Sequence, residues 1–450
     1  MLDSALSVTA SGSVATLQPP PFDAARIRQD FPILDQRDDR GNPLVYLDSA
    51  SSSQKPLAVL QAVDQHYRTA NANIHRGRYA LSDLATSKYE RAREQVAALI
   101  NAASPRSCIF VRNTTEAINL VVHSWGRSAI GPGDRIAVTT LDHHSNLVPW
   151  QLLAAEKGAT ILHVGITPDG RLDLDDLDRV LAREPKALCF PMTSNSVGSV
   201  TDAREVIRRA HAAGAVTVVD GAQAVPHQPV DVQDLGCDFL ACSGHKMAAP
   251  MGSGILYGAL PLLEAMPPFM AGGGMVRLVT PGGSTFADVP ERFEAGTPAV
   301  AEAIGLGAAA DSLRAVGLDA IHAHTASLAE SLRGRLSEIP GVRIHGPADP
   351  AFRSGIVAFT LDGLDPVAVA AALDDDFIAV RAGRHCCHPL FDALGLDGVI
   401  RASFYLYNTQ DDADRLAGAI ARIAAANRQD LRRGASDAAN PCGRPVYLDA

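Results

Sequence analysis

The stretch Ala215-Val216-Thr217-Val218-Val219-Asp220-Gly221-Ala222-Gln223 is a run of apolar and β-branched residues that ends on a carboxylate and a glycine. Residues 215–219 read as a strand buried on both faces, the kind a parallel sheet requires. Outward from it the pattern recurs. Arg135–Thr139, Thr160–Val164, Ala187–Pro191 and Gly254–Tyr257 are further short apolar runs bounded by turn residues. Helical periodicity runs through Ser87–Ile100, Arg204–Ala213, Ala301–Val316 and Asp411–Asn427. This alternation predicts an α/β protein whose sheet is mostly parallel and covered by helices on both faces. After Ala301 the pattern changes. Strands at Val342–His345, Gly355–Thr360 and Ile378–Arg381, with helices between and after, predict a smaller α+β domain.

The expected division is therefore a large domain at 23–300 and a small one at 301–430, flanked by a flexible leader (1–22) and a polar tail (431–450). The leader ends in Pro19-Pro20-Pro21, and the tail is broken by Gly434, Pro441, Gly443 and Pro445. The whole is 450 residues, 47% hydrophobic and 20% charged, which suits a packed protein of one large or two medium domains. Net charge is 40 − 50 = −10, which argues against a general nucleic-acid binder. No apolar run approaches the roughly 18–20 residues that span a bilayer, and the first 21 residues lack the basic start and apolar core of a secretory signal. Seven scattered cysteines, an odd number, predict free thiols and a reducing cytoplasm. Only five of the 40 cations are lysines: Lys55, Lys88, Lys157, Lys186 and Lys246.

In an open α/β sheet ligands bind beyond the carboxyl ends of the strands, so the residues there carry the functional reading. Asp220 is one such residue. It reads either as a turn or helix-capping aspartate or as a buried acid serving a ligand. Lys246 ends Phe239-Leu240-Ala241-Cys242-Ser243-Gly244-His245-Lys246 among apolar neighbours, where burial would depress its pKa and free a nucleophilic amine. The other four lysines read as solvated charges. An aspartate and a lysine so placed suit pyridoxal phosphate, whose ring nitrogen wants an acid and whose aldehyde wants an amine. A phosphate cradle is on offer where Arg112-Asn113-Thr114-Thr115-Glu116 opens a helix, with Ser243 and His245 as further donors. The imidazoles of Asp142-His143-His144 follow another strand and could stack on a flat ring.

Several stretches together resemble the group II (SufS-type) cysteine desulfurases of the fold-type I pyridoxal-phosphate superfamily. They are Leu47-Asp48-Ser49-Ala50, Asn73-Ile74-His75-Arg76-Gly77, Val111 to Glu116, Asp142 to Trp150, Ser243 to Lys246, Gly272 to Met275, Arg292 to Pro298 and Arg401-Ala402-Ser403. The resemblance spans roughly residues 25–430. It implies an aspartate aminotransferase-like fold with a mostly parallel seven-stranded sheet and a smaller C-terminal α+β domain. Carried over residue by residue, it makes Lys246 the Schiff-base lysine and Asp220 the partner of the pyridine nitrogen. Gln223 would contact the phenolic oxygen and His143 would stack on the ring. Thr115, Ser243 and His245 would hold the phosphate, with Thr297 reaching in from the second subunit of a homodimer. Arg401 and Asn195 would hold the substrate carboxylate.

Arg381-Ala382-Gly383-Arg384-His385-Cys386-Cys387-His388 has three readings. A metal site is disfavoured because contiguous ligands wrap one tetrahedral ion poorly. Buried structural thiols would not sit among so many polar groups. A nucleophile acidified by imidazolium and Arg384 is favoured, and the resemblance places it at Cys386. It then implies that Cys386 takes sulfur from L-cysteine as a persulfide, that alanine leaves, and that an acceptor protein receives the sulfur for iron–sulfur clusters or other pathways. Arg384 stands where the family has histidine, and Cys387, read as a bystander, where it has alanine. Rival readings are selenocysteine lyase, which need not use Cys386, and a non-catalytic scaffold. Tail docking to a partner or a protein shell is a further expectation.

Overall fold

The computed structural model describes residues 22–439. The leader, save Phe22, and the last eleven residues lie outside the described residues, and with them the expectation of tail docking.

Seven strands form the large sheet among the described residues: β1 (Cys108–Val111), β2 (Arg135–Thr139), β3 (Thr160–Val164), β4 (Ala187–Pro191), β5 (Val216–Asp220), β6 (Phe239–Ser243) and β7 (Gly254–Gly258). Their spatial order is β1-β7-β6-β5-β4-β2-β3. β2 to β6 pair in parallel, while β7 runs antiparallel to both its neighbours. β4 is buried along its whole length, as expected of a strand with helices on both sides. Two apolar clusters, one including Leu188, Phe190 and Leu240, the other Val138, Cys189 and Phe239, account for the alternation within each strand. The strand expected at 215–219 occupies 216–220, so Asp220 is its last residue rather than the first of the loop.

Helix α1 (Leu57–Thr69) and α2 (Ala80–Leu99) pack against α3 (Val300–Val316), which leads into α4 (Leu318–Ser337). The α2 helix begins seven residues before the expected Ser87, because its buried stripe of Ser82, Ala85, Tyr89, Ala92 and Val96 starts earlier than the apolar period shows. Beyond α4, β8 (Val342–His345), β9 (Ile356–Leu361), β10 (Arg381–Gly383) and β11 (Val399–Ser403) form an antiparallel sheet ordered β8-β9-β11-β10. The single strand expected at 378–381 is split. Ile378–Ala379 pairs in parallel with Val45–Tyr46, whereas Arg381–Gly383 pairs with β11. Val45 and Leu47 thus enter the core of the C-terminal sheet, and residues 45–55 run from that sheet to the large one. The last helix, Gln410–Ala439, continues twelve residues past the expected Asn427. Among the described residues no helix is long and apolar enough to cross a membrane.

One buried ion pair ties these layers together. Glu294 accepts from Arg93 at 2.6 and 2.9 Å, from the Tyr89 hydroxyl at 2.8 Å and from the Phe110 backbone N–H at 2.8 Å. Removing one member of such a pair leaves an uncompensated buried charge, so Glu294→Ala is expected to destabilise the chain by about 3–5 kcal/mol. Urea unfolding of the two proteins checks this.

Candidate active site

Ten of the eleven site residues that the resemblance implies line a single cleft, open to solvent, at the carboxyl ends of β2, β4, β5 and β6. The exception is Thr297, which lies in a separate groove beside Asn73–Arg76.

At the floor of the cleft, Asp220 is buried and Lys246 is half-buried. One Asp220 oxygen accepts from the Ala222 N–H at 2.9 Å, so the turn role read from sequence is real, yet the carboxylate still lines the cleft. Burial pushes its pKa up, and the charge of Lys246 opposes that shift. Burial pulls Lys246 below the ordinary lysine range, and Asp220 opposes that in turn. Gln223 donates through Nε2 to the Ala50 carbonyl at 2.7 Å, while its buried Oε1 has no partner.

At one end of the cleft, Asn113 caps the helix Thr114–Val121, accepting from the Glu116 N–H at 2.9 Å. The Thr114 N–H donates to Ser243 Oγ at 2.8 Å, and the two hydroxyls lie 2.7 Å apart, with Thr115 exposed beside them. Gly244 lets the lysine loop turn against β7, since a Cβ there would lie 2.2 Å from Ser253 Oγ. Thr114 was not singled out in the sequence; its place one residue after a capping asparagine was the available signal. His245 also lines the cleft, its pKa pushed down to about 4 by burial, with Lys246 and Lys55 adding to the shift. Lys55 itself is not the solvated charge expected. It is half-buried and donates to the carbonyl of His245 at 3.2 Å.

His143 accepts from the Ser145 N–H at Nδ1 (3.1 Å), which puts the proton of the neutral ring on Nε2. Burial lowers its pKa to about 4, helped by Lys246, His144 and Arg401. Its loop is tied down by Asp142, another residue the sequence reading passed over, which accepts from Thr139 N–H and Oγ1 and from Asn146 Nδ2. At the other end, Arg401 is buried. It donates to the Asn195 carbonyl at 2.8 Å, to Asp48 at 2.8 Å and to Ser51 Oγ at 2.6 Å, while its Nε has no partner. Asn195 Nδ2 donates to the His385 carbonyl at 2.8 Å.

The cysteine loop closes the cleft. Cys386 is exposed, in the left-handed region at φ 56°, next to His385 at φ 48°. Cys387 points the other way, buried. Its thiol faces the Asp142 carbonyl at 3.3 Å and is pushed up to about 12 by burial. The Cys386 carbonyl accepts from the His144 N–H at 2.9 Å, and the His388 N–H donates to His144 Nε2 at 3.2 Å. The two cations expected to acidify Cys386 are otherwise engaged: Arg384 pairs with Asp392, and His385 is held neutral, its pKa pushed down to about 3 by burial with Arg401 and Arg381 adding to it.

His143, His385 and His227, the last also pushed down to about 3 by burial, have a consequence for stability. Each is depressed in the fold, so between about pH 3–4 and 6.5 the unfolded chain binds more protons than the folded one. The contribution of these rings is then full above 6.5 and lost as pH falls, by at most roughly 1.4 kcal/mol per pH unit for each ring, while the carboxyls of Asp142, Asp220 and Asp412, raised by burial, contribute in the opposite sense. The change in urea midpoint between pH 7.5 and 5.0 is expected to be less unfavourable to the fold in His227→Gln than in wild type, which measures that ring's share.

Residues 45–416 match the aminotransferase class-V family. The chain belongs to that family. Among curated members, it is 47% identical over 396 residues to a probable cysteine desulfurase of Halalkalibacterium halodurans, covering 88% of this chain and 97% of the relative. It is 48% identical over 399 residues to the cysteine desulfurase of Dickeya dadantii, covering 88% and 96%. Among solved structures, the cysteine desulfurase CsdA of Escherichia coli superposes with a TM-score of 0.82 at 40% identity, covering 89% of this chain and 98% of that one. The apo cysteine desulfurase of Thermococcus onnurineus gives a TM-score of 0.85 at 35% identity, with the same coverage.

Proposed function

We propose that the chain is a pyridoxal-phosphate-dependent cysteine desulfurase of the group II type, converting L-cysteine to L-alanine and leaving the sulfur as a persulfide on Cys386. The observation that carries this reading is one cleft that holds a half-buried lysine (Lys246), a buried carboxylate (Asp220), a buried arginine (Arg401) and an exposed thiol (Cys386). Pyridoxal phosphate fits the polar groups present: the unpartnered acceptor Gln223 Oε1 shows polar capacity not satisfied within the chain, and the Thr114 helix end suits an anion. When bound, it supplies an aldehyde for the amine and a ring that withdraws electrons from the substrate α-carbon.

The chain's own groups then divide the work. Asp220 would hold a proton at the ring nitrogen, His143 would stack on the ring and Gln223 would contact the phenolic oxygen. Thr115, Ser243 and His245 hold the phosphate, joined by Thr297 from a second copy in a homodimer. Arg401 and Asn195 fix the substrate carboxylate, for which a guanidinium is suited. Lys246 Nζ, its pKa lowered by burial, moves the α-proton. Thiolate Cys386 bonds to the substrate sulfur while the C–S bond breaks. The electron pair stays on the carbon side, and protonation there yields alanine. The persulfide passes to an acceptor protein for iron–sulfur clusters or other pathways in a reducing cytoplasm, where Cys386 stays free. In this division the large domain supplies the cofactor site and the small domain the cysteine loop.

L-Cysteine and a thiol reductant test the reaction: equal amounts of alanine and sulfide are expected. Alanine without sulfide, or neither product from fully loaded protein, contradicts it.

A further inference from the structure

The carbonyl of His245, the residue before Lys246, has four donors on it. They are the Ser53 N–H at 2.9 Å, Ser53 Oγ at 3.1 Å, Ser52 Oγ at 3.2 Å and Lys55 Nζ at 3.2 Å. A carbonyl has two lone pairs, so this is a concentration of donors well beyond what satisfying one acceptor needs. On the far side of Lys246, the Ala248 N–H donates to Ser53 Oγ at 2.7 Å. Ala248 sits at φ 60°, a conformation an alanine holds only when its surroundings impose it. The segment 52–55 therefore grips the lysine loop on both sides of Lys246, from some 190 residues away in the chain. Lys55 brings the one charged donor to this clamp. Its ammonium also donates to the Ser53 carbonyl and reaches Ser52 Oγ at 3.5 Å, so it is held in place by the segment whose grip it completes.

We infer that Lys55 is a positioning residue for Lys246: its ammonium locks the His245 carbonyl and thereby fixes the direction in which the Lys246 amine leaves the loop. It touches neither substrate nor reacting atoms. Charge-assisted hydrogen bonds are the strong ones, and a loop in a strained conformation is where losing one is felt. The inference rests on the reading of Lys246 as the residue that bonds pyridoxal phosphate.

Apoprotein titrated with pyridoxal phosphate, reduced with borohydride and analysed by peptide mass spectrometry measures how readily the Lys246 amine bonds the aldehyde, independently of turnover. Lys55→Met keeps the length and removes the charged donor. It is expected to need about tenfold or more pyridoxal phosphate for half-labelling of Lys246, the loss of one hydrogen bond to a charged group. Lys55→Arg is expected to restore most of this, while a thermal midpoint equal to that of wild type separates positioning from general stability. Ser53→Ala, which removes the hydroxyl shared by the His245 carbonyl and the Ala248 N–H, is expected to shift labelling the same way and decides the matter if Lys55→Met does not fold. Wild-type labelling in Lys55→Met, or in Ser53→Ala should the former not fold, overturns the inference. So does a defect that Lys55→Arg fails to relieve. Labelling that persists in Lys246→Ala would instead overturn the assignment of Lys246.

Discussion

Lys246→Ala is expected to lose at least about 10²–10⁴-fold of the desulfurase rate, the share that a positioned proton-transfer group supplies. The loss should exceed that range, since in the proposed mechanism the same amine also anchors the cofactor and effects of groups that act as a unit do not add. The physical ground is burial. Lys246 is half-buried in the cleft, and burial pulls its pKa below the ordinary lysine range, opposed by Asp220 and helped by Arg401, so its amine gives up a proton more readily than that of an exposed lysine. Pyridoxal phosphate should dialyse away from this variant faster than from wild type, because only non-covalent contacts would hold it. Steady-state alanine formation and retained absorbance after dialysis measure the two effects. A variant within tenfold of wild type would remove Lys246 from the mechanism.

Cys386→Ala is expected to be as severe for L-cysteine and mild for L-selenocysteine. The thiol is exposed at the cleft while the neighbouring thiol of Cys387 is buried, pushed up to about 12 and facing backbone carbonyls, so no second nucleophile stands ready to replace it. Selenium leaves carbon more readily than sulfur and needs no attacking thiolate, so elimination from selenocysteine should survive. Alanine release from both substrates compares them directly. Equal loss on both would mean that Cys386 supports the fold of the cleft rather than attacking sulfur.

Much of this architecture was legible in the sequence because buried parallel strands advertise themselves. Arg135–Thr139, Thr160–Val164 and Ala187–Pro191 have the bounds that their apolar runs predict. Once strand ends were placed, the site followed, since Asp220 and Lys246 each close such a run. What stayed hidden depends on contacts between distant segments. Lys55 looks like any polar surface residue until residues 52–55 are laid against His245. Arg384 adds its charge to the Cys386 loop in sequence, yet Asp392, eight residues on, takes it up. Adjacent thiols are equivalent in a string of letters, and only the backbone turn at φ 56° sends Cys386 to the cleft and Cys387 into the protein. The exposed hairpin of Val276–Thr280 and Gly283–Phe286 gave no signal, because a strand pair with little burial shows no apolar period.

The central claim is that sulfur leaves L-cysteine for Cys386. Loaded protein treated with L-cysteine, quenched without reductant and digested, would be examined by tandem mass spectrometry of the peptide that holds Cys386 and Cys387. An added sulfur atom on Cys386, with Cys387 unmodified, is the predicted result. Added sulfur on Cys387 alone, or none on either thiol while alanine accumulates, would contradict it.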